Sequence, residues 1–223
     1  MTESDSRTFE KGTYEQPAHA VITGDVISSR KHEQALWSSK LKSVLATVGE
    51  EGAVWEIFRG DAFQLFVEQP AEAFHTALCI RAGFKSVKGL DLRMAIGLGK
   101  VTNREPRVGE SNGSAFVYSG ALVDELESMH VNLALRSGNH LLDDDINAGL
   151  AMASALMDRW LPNYASSVAG ALAYPEYNQM ALGEALGIAQ NTVSERLNRA
   201  NYKVLMNFDQ YFRRHIKAYA ERK

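Results

Sequence analysis

Residues 177–205, YNQMALGEALGIAQNTVSERLNRANYKVL, carry the strongest structural signal in the chain. Apolar residues at three- and four-residue spacing predict a short helix over 178–186 and a longer helix over 190–216. Gly187 lies between them and suits the left-handed conformation that ends a helix and redirects the chain. Ile188 can then fill the corner between the two helices. The segment therefore predicts two helices joined by a tight turn.

The second predicted helix has an apolar side and a polar side. Its buried side consists of four residues at helical spacing: Val193, Leu197, Ala200 and Val204. At about 100° per residue, the opposite side presents Asn191, Glu195, Asn198 and Tyr202, flanked by Thr192, Arg199 and Lys203. In the major groove of DNA, amides pair with adenine and arginine with guanine, while hydroxyls and cations suit phosphate contacts. The predicted DNA-binding residues are Gln190, Asn191, Thr192, Ser194, Glu195, Arg196, Asn198, Arg199 and Lys203.

Glu195 runs against this prediction because its carboxylate repels phosphate. It fits the interface only if it accepts a hydrogen bond from a cytosine amine or orients an arginine. The alternative is a helical bundle whose exposed helix binds another protein.

The segment resembles the helix-turn-helix of transcriptional regulators, in the variety written Q-x₃-G/A-x₂-L-G-I-x-Q-x-T-V-S. The matching residues are Gln179, Gly183, Leu186, Gly187, Ile188, Gln190, Thr192, Val193 and Ser194. The resemblance implies that the second helix enters the major groove of double-stranded DNA. It also implies a homodimer, since such proteins commonly use twofold symmetry to read two half-sites.

The charge distribution is consistent with a distinct C-terminal module. The net charge of −3 argues against binding nucleic acid through bulk charge. Residues 176–223, however, hold eight Lys or Arg and five Asp or Glu, a surplus of three positive charges. An acidic body that carries a mildly basic module is the expected arrangement.

The composition is that of a folded protein, with 45% hydrophobic and 23% charged residues among 223. No apolar run approaches the roughly 18 residues that a membrane-spanning helix needs. Cys79 is the only cysteine, which excludes an internal disulfide and a cysteine zinc site. The polar residues 1–17 are predicted to be a disordered leader rather than a signal peptide. We therefore expect a cytoplasmic protein with no membrane partner.

The region before the helical module alternates between strand and helix patterns. Strands are predicted at 18–25, within 54–67 as a hairpin, at 90–98 and at 131–136. Helices are predicted over 31–48, from Pro70 onward, and over 115–129, 143–158 and 163–173. The order β-α-β-β-α-β-α-β predicts an α+β fold: a ferredoxin-like domain with helices on one face of its sheet, followed by an all-α helix-turn-helix domain. The predicted boundaries are 18–140 for the first domain, 141–160 for a linking helix and 161–223 for the second domain.

Two Gly-Asp pairs mark a candidate metal site in the first domain. Asp25 ends the first predicted strand and Asp61 lies at the tip of the hairpin. These strands are neighbours in a ferredoxin-like sheet, so the two carboxylates can converge on a hard cation such as Mg²⁺. Val26, Ser28 and Ser29 lead into a predicted helix N-terminus, where free N–H groups favour a polyphosphate. The alternative is that both aspartates belong to ordinary exposed turns.

The same region resembles class III nucleotidyl cyclases. The similar segments are GDVISSR (24–30), FRGDAFQLF (58–66), LRMAIGLGKV (92–101) and GSAFVYSGALVDELES (113–128). The resemblance implies Mg²⁺ and a purine nucleotide as candidate ligands. Ala121 and Glu125, however, occupy the places of the family's Asn and Arg, so the cation that offsets developing phosphate charge is lost. Ile57 likewise replaces the family's purine-selecting lysine.

The whole layout, over residues 18–210, resembles the SatD family, a cyclase-like domain joined to a helix-turn-helix. We therefore expect a DNA-binding transcriptional regulator with a degenerate cyclase-like domain that senses a nucleotide or forms a dimer. A Mg-dependent nucleotidyl cyclase or nucleotidyltransferase is the first alternative, and a protein-interaction module is the second.

Overall fold

A computed structural model describes residues 19–58 and 60–221, so the predicted leader lies outside the described residues. The strands are β1 (His19–Val26), β2 (Trp55–Phe58), β3 (Ala62–Val67), β4 (Leu92–Gly99) and β5 (Leu133–Arg136). The α-helices of the first part are α1 (Gln34–Leu45), α2 (Ala73–Lys85) and α3 (Ser114–Met129). Those of the second part are α4 (His140–Asp158), α5 (Pro162–Ala173), α6 (Gln179–Leu186), α7 (Gln190–Arg199) and α8 (Tyr202–Ala220). The fold is α+β.

The five strands form one mixed sheet in the order β2-β3-β1-β4-β5. β1 lies in the centre and is antiparallel to both β3 and β4. β2 and β3 form the antiparallel hairpin expected from the sequence. β5 adds to β4 in parallel, because α3 carries the chain across the sheet between them.

Helices cover both faces of this sheet, so the prediction that they lie on one face was wrong. Ala20 and Ile22 of β1 point into the main core with α1 and α2. Val21, between them, points to the opposite face and packs with Ala115 and Phe116 of α3. Since successive side chains of a strand point to opposite faces, the nearly continuous apolar run of β1 indicates a strand buried on both sides.

The C-terminal helices pack on the α2 face and extend the main core. Phe74 of α2 contacts Phe208 of α8 with ring centroids 4.9 Å apart and an edge-on geometry. Trp160, between α4 and α5, donates a hydrogen bond of 2.9 Å to the carbonyl of Ala200 at the end of α7. One apolar cluster thus runs from the sheet through α2 and α4 to α8.

A buried charged cluster joins α2 to α4. Arg81 of α2 has no exposed surface. Its guanidinium donates to the hydroxyl of Ser154 at 3.2 Å and to the carboxylate of Asp158, both on α4. Asn132, just before β5, donates to the same Asp158 carboxylate at 3.0 Å. This cluster fixes α4 against the α2 side of the sheet.

Two predicted helices differ most from the structure. The helix predicted over 31–48 begins at Gln34, after a separate 3-10 turn at Ser29–Lys31, and neither Ser28 nor Ser29 caps it. The helix predicted over 190–216 is two helices, because Asn201 adopts a left-handed conformation with φ of 56°. Residues in that conformation interrupt a right-handed helix, so α8 starts in a new direction.

Candidate functional site

α6 and α7 form a compact pair whose turn geometry is locally determined. The Asn178 side chain accepts hydrogen bonds from the first amides of α6, including that of Met180 at 3.0 Å. Gly187 then takes the left-handed conformation with φ of 67°, and the Ile188 amide donates to the Gly183 carbonyl at 2.9 Å. A Cβ at Gly183 would lie 2.7 Å from the Ile188 carbonyl oxygen. Glycine at 183 and 187 therefore permits this tight turn.

α7 is held against the protein by its apolar side. Val193 and Ala200 are fully buried, and Leu197 is nearly so. They pack within the main core, where α7 contacts α5, α6 and α8. Three of the four residues predicted for the buried side of this helix are therefore buried.

The polar side of α7 faces outward. Of the eight predicted DNA-binding residues on α7, five are exposed: Gln190, Asn191, Glu195, Asn198 and Arg199. Thr192, Ser194 and Arg196 are partly exposed at the margins of this surface. We call these eight residues the α7 surface. A single helix thus presents two amides of asparagine, one of glutamine, two guanidinium groups and two hydroxyls together.

The Glu195 carboxylate lies 3.5 Å from the Arg199 guanidinium, one turn further along α7. Both side chains are about two-thirds exposed, so this ion pair is weak and readily exchanged for another partner. Glu195 was expected to fit a nucleic-acid interface only if it bound a cytosine amine or oriented an arginine. This contact corresponds to the second case.

The predicted register fails beyond Ala200, where the left-handed Asn201 ends α7. Val204 was predicted to be buried but is 54% exposed, and Leu205 takes the buried position instead. Tyr202 was predicted on the polar side but is half-buried against the main core. Lys203 is exposed on the first turn of α8 and is not part of α7. A break of this kind resets the helical phase, so a 100° rotation per residue no longer applies across it.

The structure gives Asp25 and Asp61 different surroundings. Asp25 pairs with Ala62 across the sheet, and Asp61 lies one residue beyond that pair, at the end of the hairpin. The Asp25 carboxylate lies 3.4 Å from Arg93 on the α3 face, and one of its oxygens is buried without a hydrogen-bond partner among the described residues. Burial raises the pKa of Asp25, Arg93 opposes this effect, and the charge of Asp61 adds to it. The two carboxylates thus interact electrostatically.

Asp61 lines a shallow cleft of about 320 Å³ with Ser29, Arg30, His32 and Trp37. The other two residues predicted to bind a cofactor do not line this cleft. Val26 is buried in the core, and Ser28 is exposed in a left-handed conformation with φ of 54°. The helix N-terminus predicted to hold a polyphosphate is not there, because α1 begins only at Gln34.

The α3 positions that would carry catalytic groups in a cyclase are differently occupied. Ala121 is exposed and has no polar side chain. Glu125 accepts two hydrogen bonds from Arg136 of β5, at 3.0 and 2.6 Å. The Arg136 guanidinium holds the pKa of the Glu125 carboxyl below its usual value. The described residues contain no group of three or more His, Cys, Asp or Glu that could hold a metal ion.

Comparisons with known proteins identify no relative of this chain, so any functional assignment depends on the geometry described above. In the described part of the chain, no helix is both long enough and apolar enough to cross a membrane. No protein-family model matches the chain. No curated protein and no solved structure is significantly similar to it.

Proposed function

We propose that this protein is a DNA-binding transcriptional regulator that reads duplex DNA with the α7 surface. One observation carries the proposal: α7 buries its apolar side on α5, α6 and α8 and leaves its amides and guanidinium groups exposed on the other. Those groups match the donors and acceptors on base edges in the major groove. The short α6, joined to α7 through Gly187, supports the proposal, since a helix-turn-helix has a first helix directly before its recognition helix.

The distribution of charge supports specific contacts over bulk attraction. The basic surplus of residues 176–223 is small, and one acidic residue, Glu195, stands within the interface. Non-specific affinity comes from neutralised phosphates and falls steeply with salt. We therefore expect weak non-specific binding and a salt dependence that reflects only a few phosphate contacts.

We propose that the first domain is ferredoxin-like and cyclase-like but catalytically degenerate. The strands β2-β3-β1-β4 have the order and antiparallel pairing that a split β-α-β arrangement produces. In place of the cation that cyclase chemistry needs, Glu125 is engaged with Arg136. A homodimer would place two copies of α7 on two half-sites about 34 Å apart.

Selection of bound duplexes from a random library, followed by gel shifts at moderate salt, tests the proposal on the full-length protein. We expect enrichment of a short sequence, with base preference relaxed and about 1–3 kcal/mol of binding free energy lost in Arg199→Ala. Lys217→Ala, which removes an exposed charge on α8 away from α7, is the matched control. Absence of any sequence-selective enrichment, with or without nucleotides, would overturn the proposal.

A second candidate is a magnesium-nucleotide site at Asp25 and Asp61. The buried, unpartnered oxygen of Asp25 beside a second carboxylate favours it, since Mg²⁺ is often held by two carboxylates and substrate phosphates. The test is pyrophosphate release from ATP or GTP with Mg²⁺, compared between the native protein and Asp61→Ala. Release that persists in Asp61→Ala, or no release in either, excludes this activity.

A further inference from the structure

A cleft of about 510 Å³ lies between α1, α2 and α5, apart from both the α7 surface and the carboxylate pair. Its walls include Lys40 of α1 and Thr47 in the turn after it, Cys79 and Gly83 of α2, and Leu172 and Ala173 of α5. This volume is within the range of small-molecule sites, which are mostly apolar with a few placed polar groups. The cleft has that composition.

Lys40 is the charged group of the cleft. Its side chain is partly buried, and burial lowers its pKa below the ordinary lysine value. None of the described carboxylates forms an ion pair with it, whereas Lys42, two residues away, lies 3.6 Å from Glu51. A partly desolvated ammonium without a counterion is unfavourable. An anion placed in the cleft would compensate it.

The remainder of the cleft is fitted to an apolar body. Val44 and Leu172 supply aliphatic walls, and Gly83 and Ala173 leave space between the helices. A Cβ at Gly83 would lie 3.0 Å from the Val44 side chain, so α1 and α2 approach closely at the floor of the cleft. The Thr47 hydroxyl is already bonded to the Val44 carbonyl at 2.7 Å. Lys40 therefore determines the polarity of the ligand.

We infer that this cleft binds a small amphipathic anion, with an apolar body against α5 and a carboxylate or sulfonate on Lys40. α5 forms one wall of the cleft and also packs on α6 and α7. A ligand wedged between α1 and α5 therefore acts on the element that supports the α7 surface. Binding itself is independent of the proposed function, whereas an effect of the ligand on DNA affinity rests on it.

The test uses 1-anilinonaphthalene-8-sulfonate as the probe, with fluorescence titration of the full-length protein. A hydrogen bond to a charged group contributes more than one between neutral groups, so we expect Lys40→Gln to weaken binding about tenfold. Lys42→Gln, which removes an exposed charge from the same helix, is the matched control and should leave affinity unchanged. Ala173→Trp fills the cleft from an exposed position and should abolish binding.

The single cysteine locates the bound probe independently. Cys79 lines the cleft and is the chain's only thiol, so its alkylation by N-ethylmaleimide reports on that place alone. Bound probe should slow alkylation several-fold in the native protein but not in Lys40→Gln. Equal affinities for the Lys40 and Lys42 variants, or a thiol that the probe leaves unprotected, would overturn the inference. If Cys79 instead becomes more protected from alkylation as the protein concentration rises, without any probe, the cleft binds a second copy of the chain and the inference is wrong.

Discussion

The guanidinium of Arg81 binds the carboxylate of Asp91 through two parallel hydrogen bonds, from Nε to Oδ1 at 2.8 Å and from Nη2 to Oδ2 at 3.0 Å. Asp91 directly precedes β4, and Lys85 reaches the same carboxylate at 2.5 Å. Burial raises the pKa of Asp91, but the two cations outweigh it and hold that pKa below its usual value. α2, β4 and α4 are thereby joined by one ionic group.

Replacing Arg81 by alanine should lower the free energy of unfolding by about 3–5 kcal/mol, because it leaves Asp91 buried with only Lys85 as a cationic partner. Urea unfolding monitored by tryptophan fluorescence measures the loss. Arg136→Ala is the control, since Arg136 also makes a bidentate pair but at the surface, where such pairs contribute about 1 kcal/mol or less. Similar losses in the two variants would show that the buried pair is not a stabilising link.

Stability should fall as the pH rises from about 6.5 toward 10 because of His75. Its hydrogen bond to Asp209, 3.2 Å away on α8, and then its contact with Cys79, raise the pKa of His75 from 6.5 to about 10. The folded protein therefore holds a proton that the unfolded chain releases in this window, so the stabilisation is complete below pH 6.5 and lost above 10. His75→Gln should flatten the dependence in denaturant titrations at successive pH values. His140→Gln, at an exposed histidine, should leave it intact.

Two glycine-to-alanine changes should have opposite effects on stability. A Cβ at Gly97 of β4 would lie 2.1 Å from the Ala115 carbonyl oxygen, so alanine there must push α3 off the sheet and destabilise by about 1–3 kcal/mol. A Cβ at Gly120 of α3 meets nothing within 4 Å, and alanine in a helix is favoured by about 0.5–1 kcal/mol. Thermal unfolding measures both effects: the midpoint temperature should fall for Gly97→Ala and rise for Gly120→Ala. A neutral Gly97→Ala would contradict the close packing of α3.

Glu195→Gln should strengthen non-specific binding to DNA. The substitution removes a charge that repels phosphate and releases Arg199 from its ion pair of 3.5 Å. We expect the slope of log affinity against log salt to steepen by about one phosphate contact. Fluorescence anisotropy at several salt concentrations measures this slope. Glu184→Gln, at an exposed residue of α6 outside the α7 surface, is the control; an equal change there would indicate an effect of net charge alone.

Local patterns sufficed to predict most of the helices and strands but not how they assemble. The hairpin with Gly60-Asp61 and the turn at Gly187 were predicted correctly because glycine there permits a positive φ, 85° and 67° respectively. The covering of the second sheet face by α3 was missed because sequence periodicity alone does not specify which face a helix covers. Two residues do indicate that a helix covers this face. Gly97 is small enough for α3 to approach the sheet closely, and Val21 is an apolar residue on that face.

The candidate sites were predicted unevenly for the same reason. The buried side of α7 follows from periodicity as far as Ala200, and Asn201 then ends the helix in a conformation that asparagine adopts more readily than most residues. The Lys40 cleft was not predicted, since its walls come from three helices far apart in sequence. Its polarity depends on the absence of a counterion among the described residues, which only the tertiary structure reveals.

If α7 binds DNA as proposed, the left-handed Asn201 also limits how many base pairs one copy can contact. α7 ends after ten residues, a rod of about 15 Å, which spans about four stacked base pairs at 3.4 Å each. A sequence of about four base pairs recurs by chance many times in any genome. On the proposed function, a specific site would therefore need two copies of α7, and the length of each half-site would follow from where Asn201 ends the helix.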